Sequence, residues 1–237
     1  MAGETPALRN QDMKRIVCFV VIVCAAVLVT GSARAQDQEA VQSAAASMKQ
    51  NLESLRQYAW QSRVNLSVDG EEKRVTLFQV RYNLDGKLEK TSMGGEENQK
   101  KVRGPIRKNV AKKKKKQAHE FATEATQTID AYMTPESIKK AMSQAFARKE
   151  DGMLKLRSEG VVKQGDSIEL ALVEATNQPM SFSIQSTVDE SPISVEITFQ
   201  KLEDGTNYPA RTIVTTTFDG KPLKIETENF SYVKQGG

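Results

Sequence analysis

Residues 106 to 149 read IRKNVAKKKKKQAHEFATEATQTIDAYMTPESIKKAMSQAFARK, and this stretch divides the chain into two strand-rich parts. Within it Ala118, Phe121, Ala122, Ala125, Ile129 and Tyr132 recur at spacings of three and four, which puts them on one helical face. Thr134 then offers an N-cap oxygen, Pro135 suits the first helical position, and Glu136 favours the positive end of a new helix. Ile138, Ala141, Met142, Ala145 and Phe146 give that helix an apolar stripe, so the spacing predicts a second helix ending near Asp151-Gly152. Lys112, Lys113, Lys114, Lys115 and Lys116 precede the first helix. They belong to a segment, 100 to 116, with ten basic residues and no acidic one. Five adjacent lysines repel one another, so this entrance reads as a solvated face or as a contact for an anionic surface.

Outward from this stretch the pattern becomes that of strands. Val64, Leu66 and Val68 alternate with Arg63, Asn65 and Ser67, Asp69-Gly70 turns the chain, and Asp85-Gly86 turns it again. Beyond Gly152, Met153 to Val162, Ile168 to Leu172, Phe182 to Val188, Val195 to Phe199, Arg211 to Phe218 and Lys221 to Tyr232 repeat the alternation between turn signals. Ahead of the first strand, Val41, Ala44, Ala45, Met48, Leu52 and Leu55 are spaced for a helix. Strands joined by such short turns are antiparallel, and the absence of alternating βαβ units speaks against a parallel sheet. The expected fold class is α+β: a curved antiparallel sheet, a half-barrel of about eight or nine strands, with three helices on its concave face.

The chain has 237 residues with 34 Lys+Arg and 30 Asp+Glu. Lys14-Arg15, the apolar run Ile16 to Val29 and Ala33-Arg34-Ala35 have the three parts of a secretory signal peptide, with cleavage expected between Ala35 and Gln36. Fourteen apolar residues are short of the roughly 20 that a membrane span needs. Both cysteines, Cys18 and Cys24, fall in the leader, so the exported chain is expected to hold no disulfide and to rest on its core. The expected organisation is a signal peptide over 1–35 and a single domain over 36–237. Within that domain a helix is expected at 38–57, strands at 62–93, a helical lid at 106–149 and strands at 153–233.

The closing stretch Asn207-Tyr208-Pro209-Ala210-Arg211-Thr212-Ile213-Val214, followed by Phe218-Asp219-Gly220-Lys221-Pro222-Leu223, resembles the final hairpin of the periplasmic lipoprotein carriers, the LolA/LolB-like family. The order of elements over most of the exported chain resembles that family too. The resemblance implies a half-barrel with a helical lid, a lipid-handling role, and Arg63 as the candidate for the family's functional arginine. The lysine-rich entrance departs from the family's pattern.

Catalytic signatures are absent from the sequence. His119 is the single histidine, and His119-Glu120-Phe121-Ala122-Thr123 has threonine where a zinc motif needs its second histidine. No nucleophile elbow and no phosphate-cradling glycine loop occurs. The expectation is therefore no enzyme, no catalytic residue, no metal and no cofactor. The middle helices admit two readings. Phe121, Ile129, Tyr132, Ile138, Met142 and Phe146, with Trp60, are packed core, or they line a cavity for a lipid or another apolar ligand under a movable lid. The leading expectation is a periplasmic or secreted carrier-like protein that binds such a ligand as a monomer. Lys112 to Lys116 would touch an anionic membrane surface or an acidic envelope partner, and nucleic acid is excluded by the secreted destination. The alternative is a structural or interaction protein of the envelope with a packed core and a basic partner-binding loop.

Overall fold

A computed structural model describes residues 35–83, 88–97, 121, 125, 128–129, 131–132, 134–188 and 190–235. Its elements are α1 (Ala35–Leu55), β1 (Tyr58–Val68), β2 (Glu71–Tyr82), β3 (Leu88–Glu97), α2 (Pro135–Ser143), β4 (Phe146–Glu150), β5 (Met153–Glu159), β6 (Ser167–Val173), β7 (Gln178–Val188), β8 (Ser191–Lys201), β9 (Asn207–Phe218) and β10 (Lys221–Lys234). All ten strands join one antiparallel sheet in the order β3-β2-β1-β10-β9-β8-β7-β6-β5-β4. The sheet is open, with β3 and β4 at its edges. The expected half-barrel of eight or nine strands with three helices on a concave face is thereby corrected. The helical part of the described chain is small: α1, α2, and the helical residues between 121 and 132.

The tenth strand comes from residues expected to be helical. α2 begins as the sequence indicates, with Ser137 N–H donating to Thr134 Oγ1 at 3.1 Å and Pro135 in the first turn, but it stops at Ser143. Asp151 and Gly152 have φ of 52° and 74°. Two successive left-handed residues make a tight hairpin turn whose twist suits antiparallel strands. That turn pairs Glu150 with Met153 and Phe146 with Arg157, so Phe146–Glu150 is strand and not helix. Asp69-Gly70 and Asp219-Gly220 adopt the same pair of left-handed conformations, and there the sequence signal is read correctly. β3 continues to Glu97, through Gly94 and Gly95, beyond the expected strand end at 93.

Cross-strand neighbours share a face, so the registers show which residues line the buried side. On β5 to β8 this side carries Leu154, Leu156, Ile168, Leu170, Leu172, Phe182, Ile184, Val195 and Ile197. Val41 of α1, Ala141 of α2 and Phe121, Ala125, Ile129 and Tyr132 pack into the same cluster. A second cluster, Leu55, Trp60, Val64, Phe78, Val80 and Tyr82, covers β1 and β2. Between the two, the buried side holds a band of small polar residues: Ser62, Thr76, Thr212, Thr216, Thr227 and Asn229, all buried. The opposite face carries ion pairs such as Arg63–Glu228 and Arg211–Glu226. No helix among the described residues is long and apolar enough to cross a membrane.

Candidate functional site

Of the residues expected to line a cavity, Phe121, Ile129, Tyr132 and Met142 share one cluster, whereas Trp60 and Phe146 lie outside it. Phe121 and Ile129 are buried in the main cluster, and Tyr132 is 1% exposed. The Phe121 ring lies 5.2 Å from that of Phe218, and Met142 packs partly buried against the same cluster. Phe146 is 78% exposed on β4, which corrects its place in an inward-facing stripe. Its pairing with Arg157 sets it on the face opposite Ala147 and Leu156. Trp60 sits apart, in the second cluster, stacked on Tyr232 at 5.2 Å and tilted against Tyr82 at 5.8 Å. Arg63 forms an ion pair with Glu228 on the outward face. The Ile138 side chain, Lys112, Lys113, Lys114, Lys115, Lys116 and His119 lie outside the described residues, as does the leader up to Arg34. Among the described residues no cluster of His, Cys, Asp or Glu has the arrangement to hold a metal.

Tyr132 is fixed by a polar hub that the sequence does not announce. Its hydroxyl donates to Asp166 Oδ2 at 2.9 Å and lies 2.6 Å from Ser186 Oγ. Asp166, 2% exposed, also accepts from the backbone N–H groups of Val161, Val162 and Lys163, each at 2.8 Å. Burial opposes the charge on this carboxylate, but the backbone donors and the Tyr132 hydroxyl prevail and hold its pKa below the ordinary value. Burial raises the Tyr132 pKa, so the phenol stays neutral. α2 docks beside the hub, with Lys140 Nζ donating to Gly160 O and Val161 O at 2.7 Å and Ser158 Oγ donating to Ala141 O at 2.5 Å. The chemistry is that of a clamp: it ties the helical residues to the loop 160–166 and to β7.

The recess in the sheet lies elsewhere, and backbone register makes it. The β7–β8 ladder ends at Ser181↔Thr198. Beyond that pair Gln178–Met180 run with β6 and Phe199–Lys201 run with β9. The ladders on either side of the gap, β6–β7 and β8–β9, are irregular at this level, with the extra residues on β7 and β9. Ala171 faces Ser181 while Leu172 faces Pro179, so Met180 is an extra residue, and Thr198 faces Arg211 while Phe199 faces Pro209, so Ala210 is another. Bulges bend and twist their strands, which accounts for the parting. A cleft of about 400 Å³ opens there, lined by Val173, Gln178, Pro179, Met180, Phe199 and Lys201 among others. Gln178 Oε1 is buried with no hydrogen-bond partner among the described residues. The neighbouring gap between β9 and β10 is closed by side-chain amides. Asn51 Nδ2 donates to Asn207 O at 2.8 Å, Asn51 Oδ1 accepts from Asn207 N at 2.6 Å, and Asn229 Nδ2 donates to Pro209 O at 2.8 Å. The sequence carries the apolar pattern of β7 and β8 but gives no sign of the two bulges.

No protein-family model matches the chain. No curated protein matches it either. Among solved structures, one of MucB in complex with MucA(peri) is similar at 12% identity and a TM-score of 0.23, over 82% of this chain and all of the other. A Pseudomonas aeruginosa MucA/MucB complex is similar at 9% identity and a TM-score of 0.23, over 86% of this chain and all of the other. At that score the likeness is a distant resemblance at most and carries no argument about this chain.

Proposed function

We propose that this chain is a non-enzymatic interaction protein of the cell envelope, exported by its N-terminal leader, with a packed sheet as scaffold and the run Lys112 to Lys116 as a contact for an acidic partner. The observation that supports this reading over a lipid carrier is the packing of Phe121, Ile129 and Tyr132. A lid residue over an empty cavity would face void, whereas these three are buried in one continuous cluster with Leu154, Ile184 and Val195. Truncating such a side chain removes transfer energy and leaves a hole, so Phe121→Ala is expected to cost about 3–5 kcal/mol. The test is a thermal melt of Phe121→Ala together with titration of the wild type with the apolar dye 1-anilinonaphthalene-8-sulfonate. Strong destabilisation with no dye binding by the wild type fits the packed scaffold. A tolerated truncation together with saturable dye binding that Phe121→Ala abolishes would return the carrier reading.

A further inference from the structure

The two facing strand segments of the β7–β8 cleft are not equivalent. Pro179 has no N–H, so the β7 side lacks a backbone donor at that position. Phe199, Gln200 and Lys201 have no proline, and their ladder is with β9 alone. An interior strand is therefore exposed as an edge for three residues, about 10 Å of backbone. Such an edge is a template for another extended chain, and main-chain hydrogen bonding supplies the affinity in that mode. The walls add selectivity. Val173, Pro179 and Phe199 are apolar, and Met180, 43% exposed at the bulge, is an adaptable apolar surface. The buried Gln178 Oε1 adds an acceptor in need of a donor, which a peptide N–H provides.

Charge selects further. Lys201 lines the cleft and has no ion-pair partner among the described residues. Of the two acidic side chains at the next turn, Glu203 and Asp204, Asp204 is engaged elsewhere: it accepts from Tyr58 Oη at 2.6 Å and from Thr206 N at 3.0 Å. These donors, the Tyr58 hydroxyl first, hold Asp204 at a pKa of about 2. We propose that the cleft takes an extended apolar peptide that pairs with Phe199–Lys201 and sets an acidic side chain on Lys201. This site is distinct from the lysine run of the proposed function and goes beyond that reading.

The experiment uses the exported chain and a fluorescein-labelled pentapeptide, Thr-Val-Thr-Val-Glu, in fluorescence anisotropy. Saturable binding is expected, with hydrogen-exchange protection gained at Phe199, Gln200 and Lys201. A copy of the peptide with alternate amides N-methylated cannot complete the ladder and is expected to bind at least tenfold more weakly. Lys201→Glu is expected to weaken binding at least tenfold with an unchanged melting temperature, because the side chain is exposed. If that variant fails to fold, the N-methylated peptide still decides. Replacing Lys112 to Lys116 by glutamine is expected to leave peptide binding unchanged, so failure here and failure of the acidic-partner reading are separable. The proposal is overturned by no peptide binding at millimolar concentration or by equal binding of the N-methylated peptide. It is also overturned if laurate protects the same amides while the peptide does not, or if concentration-dependent self-association of the free chain protects them.

Discussion

Asp166 is a carboxylate withdrawn from water, and its charge is kept by four donors. Because its folded pKa lies below the ordinary 3.8, the charged form favours folding at pH above that value, and the benefit is lost as pH falls through the folded pKa. The melting temperature is thus expected to drop on acidification below about pH 4, and Asp166→Asn is expected to remove the Asp166 share of that dependence while the share of Asp204 remains. At neutral pH the same substitution turns an amide N–H₂ towards backbone N–H donors and is expected to cost about 2–3 kcal/mol, read from urea unfolding. A variant as stable as the wild type would deny the clamp its role. Residue-scale legibility follows chain distance. Phe121, Ile129 and Tyr132 were marked by helical periodicity, whereas Asp166 lay in a Gly-Asp turn whose partner is 34 residues away.

At the scale of elements, Phe146 to Gly152 shows how one dipeptide serves two structures. Asp-Gly ends a helix when glycine follows the last turn, and it closes a hairpin when both residues are left-handed. The apolar stripe running to Phe146 favoured the first choice, and the pairing of β4 with β5 decides for the second. The consequence is quantitative. An inward Phe146 would make Phe146→Ala costly, but at 78% exposure the change is expected to stay within about 0.5 kcal/mol in urea unfolding. A cost near 3 kcal/mol would put that ring back in a core. Alternation and short turns made most strands legible. The parting of β7 from β8 was not, because a bulge depends on which partner residue is skipped, and a single chain's periodicity is blind to that.

For the whole molecule, the sheet order places β10 between β1 and β9. Every other neighbouring pair is consecutive in the chain, so β1 with β10 is the single long-range seam among the described strands, with Arg63 and Glu228 paired across 165 residues. Deleting residues 221 to 235 opens two interior edges at once, on β1 and on β9. The truncated chain is expected to aggregate on gel filtration, and a monodisperse folded product would show that the two flanks stand alone. Timing follows from the same seam. A chain made from its N-terminus presents the hairpins of residues 58 to 97 early, yet their permanent neighbour is the last strand to emerge. Joining of the two parts of the sheet waits for β10, and pairing over so long a separation is slow. The nascent protein therefore lacks the β1–β10 seam until Lys221–Lys234 has emerged, and the order of its strands acts as a delay.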